Sequence, residues 1–294
     1  MAFTPLFRGA GCALVTPFTN GQVDVDQLRK LVNWQIEQGT AALVACGTTG
    51  EPATMTMEEK ELVIRETVAT AAGRVPVICG TGSNNTMAVI ETEKRFRDLG
   101  CAAQLVVTPY YNRTTQEGLY RHFMTIAENT ELPIILYNVP SRTNVDISAA
   151  TLRRLAASDR FIALKESSAA INAVMAKMEA IEGKLALYSG SDDMVYPFLS
   201  IGGDGVISVV SDVVPAEMAK VCSLYFEGKR EESLKQQIRL LPLNNALFHE
   251  VSPIPCKYAM EKLGLCSGEL RLPLVEASEE TRAMMDAALA GLGL

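Results

Sequence analysis

Apolar residues in this chain gather into short dense runs, and between the runs they recur at helical spacing. Eight runs rich in β-branched and small apolar side chains read as strands, at 12–16, 42–46, 75–79, 104–108, 133–137, 161–165, 186–189 and 205–209. They are nearly continuous rather than alternating, the pattern of strands covered on both faces. The intervening segments look helical. Residues 26–38 place Leu28, Leu31, Val32 and Ile36 on one stripe that stops at Gly39. Thr56-Met57-Glu58-Glu59 fits a capping box that opens the next helix. Successive strands start about 20 to 35 residues apart, room for one helix and two loops. Eight such units predict an α/β (β/α)8 TIM barrel. Helical patterns continue past the eighth strand at 217–227, 231–249, 255–262 and 279–289, with Pro253 and Pro255 marking turns. One helix closes a barrel, so the surplus predicts a C-terminal helical appendage. The expected division is a barrel over 1–225 and a packed helical region over 226–294.

Composition narrows the picture. A chain of 294 residues, 48% hydrophobic, can bury one large core. The net charge is −7 with no basic block, which argues against a nucleic-acid partner. No apolar stretch is long enough to span a bilayer and the N-terminus has no leader pattern, so a cytoplasmic protein with no membrane partner is expected. Seven dispersed cysteines without a CxxC pair read as reduced, mostly buried thiols, Cys46 included. Only His122 and His249 are present, both on predicted helices, which disfavours a Ser–His–Asp hydrolase or a histidine-ligated metal. Asp192-Asp193 is a lone acidic pair, more simply a helix start than a magnesium site. Gly202-Gly203-Asp204-Gly205 precedes the eighth strand, on the face opposite the strand ends where barrel chemistry sits. Lys94 and Lys257 read as surface charges.

One lysine reads differently. Lys165 ends the apolar run Phe161-Ile162-Ala163-Leu164. Burial disfavours a charged amine, and a neutral amine can attack a ketone to form a Schiff base. At other strand ends stand Gly47-Thr48-Thr49-Gly50-Glu51, Val107-Thr108-Pro109-Tyr110-Tyr111-Asn112 and Tyr137-Asn138-Val139-Pro140-Ser141-Arg142-Thr143. The first offers amides and hydroxyls that suit a carboxylate, or is only a strand-to-helix turn. Tyr137 is a poor base alone but can pass protons within a relay. The planar fork of Arg142 suits bidentate carboxylate binding.

Together these segments resemble the dihydrodipicolinate synthase branch of the pyruvate-dependent class I aldolase and lyase family, from about Leu6 into the C-terminal region. The resemblance implies a lyase condensing pyruvate with L-aspartate-4-semialdehyde in lysine biosynthesis, without a metal or organic cofactor. It assigns the Schiff base to Lys165 and a proton relay to Tyr137, Thr48 and Tyr111, the last reaching into a neighbouring subunit's site, with Tyr110 beside it at an interface. It gives pyruvate's carboxylate to Thr48 and Thr49, the semialdehyde's carboxylate to Arg142, and further substrate contacts to Gly190 and Ile207. It also implies a homotetramer built from dimers. The alternatives are a related aldolase acting on a sugar acid or hydroxy-oxo acid, and a silent barrel that senses a small carboxylate. Lysine-inhibited members use residues corresponding to Pro52, Ala53, Met57, Lys60, Asn84, Ala88 and Tyr110. Here Lys60 and Ala88 replace acidic or histidine positions, so weak inhibition by lysine is expected.

Overall fold

The computed structural model describes residues 3–168 and 170–294. Eight parallel strands close a barrel in which each pairs with its sequence neighbours and the last returns to the first. They are β1 (Gly9–Ala13), β2 (Ala42–Ala45), β3 (Val77–Gly80), β4 (Ala103–Val107), β5 (Ile134–Asn138), β6 (Phe161–Glu166), β7 (Ala186–Ser189) and β8 (Gly205–Ser208). The expected TIM barrel is therefore present. Phe7, Val44, Ile78, Leu105, Ile135, Ala163, Tyr188 and Ile207 fill its interior. Phe7 and Tyr188 stack with centroids 4.2 Å apart, and the Tyr188 hydroxyl donates to the Phe7 carbonyl at 2.8 Å.

The first strand lies three residues earlier than expected. Gly9-Ala10-Gly11 carries almost no apolar signal, yet it pairs with Gly205-Val206-Ile207. Small size is what the pairing needs, because a Cβ on Gly205 would lie 1.9 Å from the Gly9 carbonyl oxygen. Farther along, the Val15 amide leaves the ladder and donates to Asp212 Oδ1 at 3.0 Å. The sequence reading also missed a two-stranded ribbon of Phe18–Thr19 and Gln22–Val23. Its turn is Asn20-Gly21, both at positive φ, a pair that favours tight hairpins.

Helices α1 (Val25–Glu37), α2 (Met57–Ala71), α3 (Thr86–Phe96), α4 (Gln116–Asn129), α5 (Pro140–Thr143), α6 (Ala149–Leu155), α7 (Ile171–Ile181), α8 (Val195–Ser200) and α9 (Pro215–Phe226) connect and cover the strands. The α2 capping box is complete, with Thr56 Oγ1 accepting from the Glu59 amide at 3.2 Å and Glu59 Oε2 from the Thr56 amide at 2.9 Å. Three more helices follow, α10 (Arg230–Leu247), α11 (Ile254–Lys262) and α12 (Glu279–Leu292). Leu240, Leu243, Met260 and Met285 share one apolar cluster with Val206, Val210 and Met218, so these helices bury the outer side of β8. Because α10 stops at Leu247, His249 lies beyond a helix rather than on one. Pro255 sits in the first turn of α11, where its missing N–H costs nothing. All seven cysteines are unpaired and buried. Among the described residues no helix is long and apolar enough to cross a membrane.

Candidate active site

The C-terminal strand ends open into a cleft of about 570 Å3, walled by Thr48, Thr81, Tyr137 and Arg142 and, from the C-terminal region, by Ser252 and Pro253. Beneath it, adjacent strands bring Tyr137 and Lys165 into register. The Lys165 amine stands 4.4 Å from the centre of the Tyr137 ring, and each residue is only 6% exposed. Strand alternation explains the orientation. Ala163 joins the barrel interior while Leu164 joins the helix-side cluster, so Lys165 falls on the inner face and Glu166 on the outer.

Glu166 is held from several sides. Its carboxylate meets Lys177 Nζ at 2.7 Å, accepts from Asn138 Nδ2 at 2.9 Å and accepts from the Ser168 amide at 2.8 Å. Lys177 also meets Asp146 Oδ1 at 2.6 Å. The strand end is thereby tied to its neighbour and to α7, which fixes where Lys165 emerges. Gly190 closes in on the other side: a Cβ there would lie 3.1 Å from Lys165 Cε and 1.9 Å from Ser167 Oγ. Ile207 is buried in the barrel interior. Asp192, just past Gly190, opens a single turn (Asp192–Met194), and its carboxylate accepts from the Val209 amide at 2.9 Å. Burial raises its pKa, against the opposing pull of the Ser208 hydroxyl, the backbone donors and the Lys165 charge.

The turn after β2 is a short helical turn (Thr48–Gly50) with Thr48 exposed to the cleft and Thr49 buried. Thr16 Oγ1 donates to the Gly50 carbonyl at 2.8 Å. Glu51 follows in the left-handed region at φ 55° and points away from solvent. Its partner is Lys257, 2.6 Å away, with both side chains fully buried. Reading Lys257 as a surface charge was wrong. Its helix buries Ile254, Pro255, Cys256, Ala259 and Met260, and the lysine side chain lies with them on the covered part of the helix. Lys94 does lie at the surface.

Arg142 lies in the single-turn helix α5, lines the cleft, and donates to the Ser252 carbonyl at 3.3 Å. The single chain thus brings Thr48, Tyr137 and Arg142 around one opening, with Lys165, Gly190 and Ile207 below. Tyr111 stands apart, 93% exposed at φ 66° and outside the cleft lining, while Tyr110 lines it.

Residues 6–291 match the sequence profile of the Dihydrodipicolinate synthetase family. The chain belongs to this family. A 4-hydroxy-tetrahydrodipicolinate synthase of Clostridium novyi is 46% identical over 284 residues, covering 97% of this chain and 96% of that one. A dihydrodipicolinate synthase structure from Thermotoga maritima superposes with a TM-score of 0.96 at 42% identity, covering 98% and 99% of the two chains. The chloride-inhibited dihydrodipicolinate synthase of Acinetobacter baumannii, solved with pyruvate, has a TM-score of 0.95 at 43% identity over 97% and 99%. As a member of this family the chain is a lyase.

The sequence reading did not anticipate the polar groups that support the cleft of this family member. Asn138, Glu166 and Lys177 form one buried polar group that reaches the half-exposed Asp146, and Glu51 and Lys257 form another. For the first there was a usable signal. An acid beside Lys165 in an alternating strand must point to the opposite, helix-covered face, where burial demands a cation.

Proposed function

We propose that this lyase condenses pyruvate with L-aspartate-4-semialdehyde to give 4-hydroxy-tetrahydrodipicolinate in lysine biosynthesis. The observation that carries the reading is an amine, Lys165, buried at the C-terminal end of a barrel strand between a tyrosine ring and a glycine that leaves it room. The charge of the cleft supports it. In a chain of net charge −7 its lining offers the cations Lys60 and Arg142, and its lining carboxylate, Glu51, is neutralised by Lys257. Both substrates are carboxylates.

The Lys165 amine attacks the ketone carbon of pyruvate, and the carbinolamine loses water to leave an imine. That imine is the electron sink, so the chemistry calls for no further cofactor. The methyl carbon gives up a proton and becomes the enamine carbon. This carbon attacks the aldehyde, whose oxygen takes a proton as the new carbon–carbon bond forms. The substrate's own amine then adds to the imine carbon, the Lys165 nitrogen leaves with a proton, and the ring closes. Tyr137, Thr48 and Tyr111 relay the protons. Thr48 and Thr49 hold pyruvate's carboxylate, Gly190 and Ile207 frame its carbons, and Arg142 holds the second carboxylate. The exposure of Tyr111 on a left-handed backbone supports a role outside its own chain, completing a neighbour's site in a tetramer of two dimers.

Borohydride with pyruvate should trap one adduct per chain, and peptide mapping should place it on Lys165. A coupled assay should show consumption of both substrates and none for Lys165→Ala. An adduct on Lys257 or Lys94 with Lys165 unmodified would sink the mechanism.

A further inference from the structure

The buried Glu51–Lys257 pair lies outside the chemistry just described. It joins the carboxylate-binding turn to the C-terminal region, across the longest gap in sequence of any buried ion pair among the described residues. The Glu51 amide donates to the Thr48 carbonyl at 3.2 Å, so the residue that anchors Glu51 also anchors the Thr48 peptide. Glu51 has no solvent to turn to, and its left-handed backbone must be held by tertiary contacts. Lys257 Nζ supplies the hold at 2.6 Å and donates its other short bond to the Glu269 carbonyl at 2.7 Å, while packing 4.2 Å from the centre of the Phe18 ring. Arg271 adds a second tie: its amide donates to Glu51 Oε2 at 3.3 Å and its guanidinium to the Thr54 carbonyl at 3.0 Å.

We propose that Lys257 is a positioning residue for pyruvate: through Glu51 it sets the Thr48–Thr49 turn so that the turn's donors meet the carboxylate. This rests on the assignment of that carboxylate to Thr48 and Thr49 above. The same helix reaches the other end of the site through its backbone alone. The Lys257 amide donates to the Pro253 carbonyl at 2.9 Å, and the neighbouring Ser252 carbonyl accepts from Arg142. Replacing the Lys257 side chain therefore loosens one carboxylate site and leaves the other in place. A buried lysine that served the fold alone would not separate the two substrates.

The test compares Lys257→Met, which strands a buried carboxylate, with Glu51→Gln/Lys257→Met, which carries no buried charge and guards against simple unfolding. Steady-state kinetics for each substrate and borohydride trapping over a pyruvate titration are read on the intact oligomer. In both variants KM for pyruvate, and the pyruvate needed for half-maximal trapping on Lys165, should rise about tenfold, the scale of one lost charge-assisted hydrogen bond. KM for the semialdehyde should stay within about twofold, and trapping at saturating pyruvate should still reach one adduct per chain. A folded double variant with wild-type KM for pyruvate would show that the pair serves stability alone and would overturn the proposal. Equal rises for both substrates would also overturn it. Failure to trap wild type at Lys165 would instead strike the functional reading, and the proposal with it.

Discussion

Lys177→Met isolates the clamp behind Lys165. The residue is 2% exposed and satisfies two carboxylates, Asp146 at 2.6 Å and Glu166 at 2.7 Å. Their fates differ. The Asp146 side chain is 50% exposed and can return to water, whereas Glu166 is sealed and would keep only Asn138 and the Ser168 amide. Stranding a buried ion typically costs 3–5 kcal/mol, and the two surviving donors place this case near the lower end, about 3 kcal/mol. A chain of this size loses roughly 2–4 °C in Tm for each kcal/mol, so a fall of about 6–12 °C is expected at matched protein concentration. Glu166→Gln/Lys177→Met removes the stranded charge and should regain at least about half of the loss, a coupling that a double-mutant cycle measures directly. A single variant within about 2 °C of wild type, or a double variant no more stable than the single, would refute the assignment of the cost to a stranded Glu166.

Arg142→Ala should still form the pyruvate adduct while kcat/KM for the semialdehyde falls at least about tenfold, since a lost charge-assisted pair is worth roughly 1.5–3 kcal/mol; collapse of trapping would contradict the role given to Arg142. Mixed oligomers of Tyr111→Phe and Lys165→Ala should recover activity absent from either alone, and verified hybrids with no gain would count against a shared site. Millimolar L-lysine at neutral pH should inhibit little, because Lys60 and Ala88 line the cleft where an acidic partner for its ammonium would be needed, and strong saturable inhibition would reverse that expectation.

The barrel was readable because strands covered on both faces must be apolar throughout, and seven of the eight runs were found close to their place. The first strand escaped because Gly9-Ala10-Gly11 is chosen for close approach to β8 and carries no hydrophobic signal. Of the candidate site, the positions of Lys165, Tyr137, Thr48 and Arg142 at strand ends were legible, since that is where loops meet in a barrel. Glu51 and Lys257 could not be paired from sequence. Their contact is tertiary, and a lysine amid Cys256, Tyr258 and Ala259 gives no sign of the carboxylate it will meet.

The buried cysteines turn the fold into its own reporter. All seven thiols are free and enclosed, and burial pushes those of Cys46, Cys222 and Cys266 up to about 12. The thiolate is the species that reacts, so in the folded protein these sulfurs are both shielded and protonated near neutral pH. An aromatic disulfide or maleimide reagent added to native protein should therefore find almost nothing to label until a region opens. Cys12 and Cys79 lie in or beside barrel strands, whereas Cys256 and Cys266 belong to the C-terminal region. The order in which these sulfurs become reactive would chart which part of the molecule lets go first.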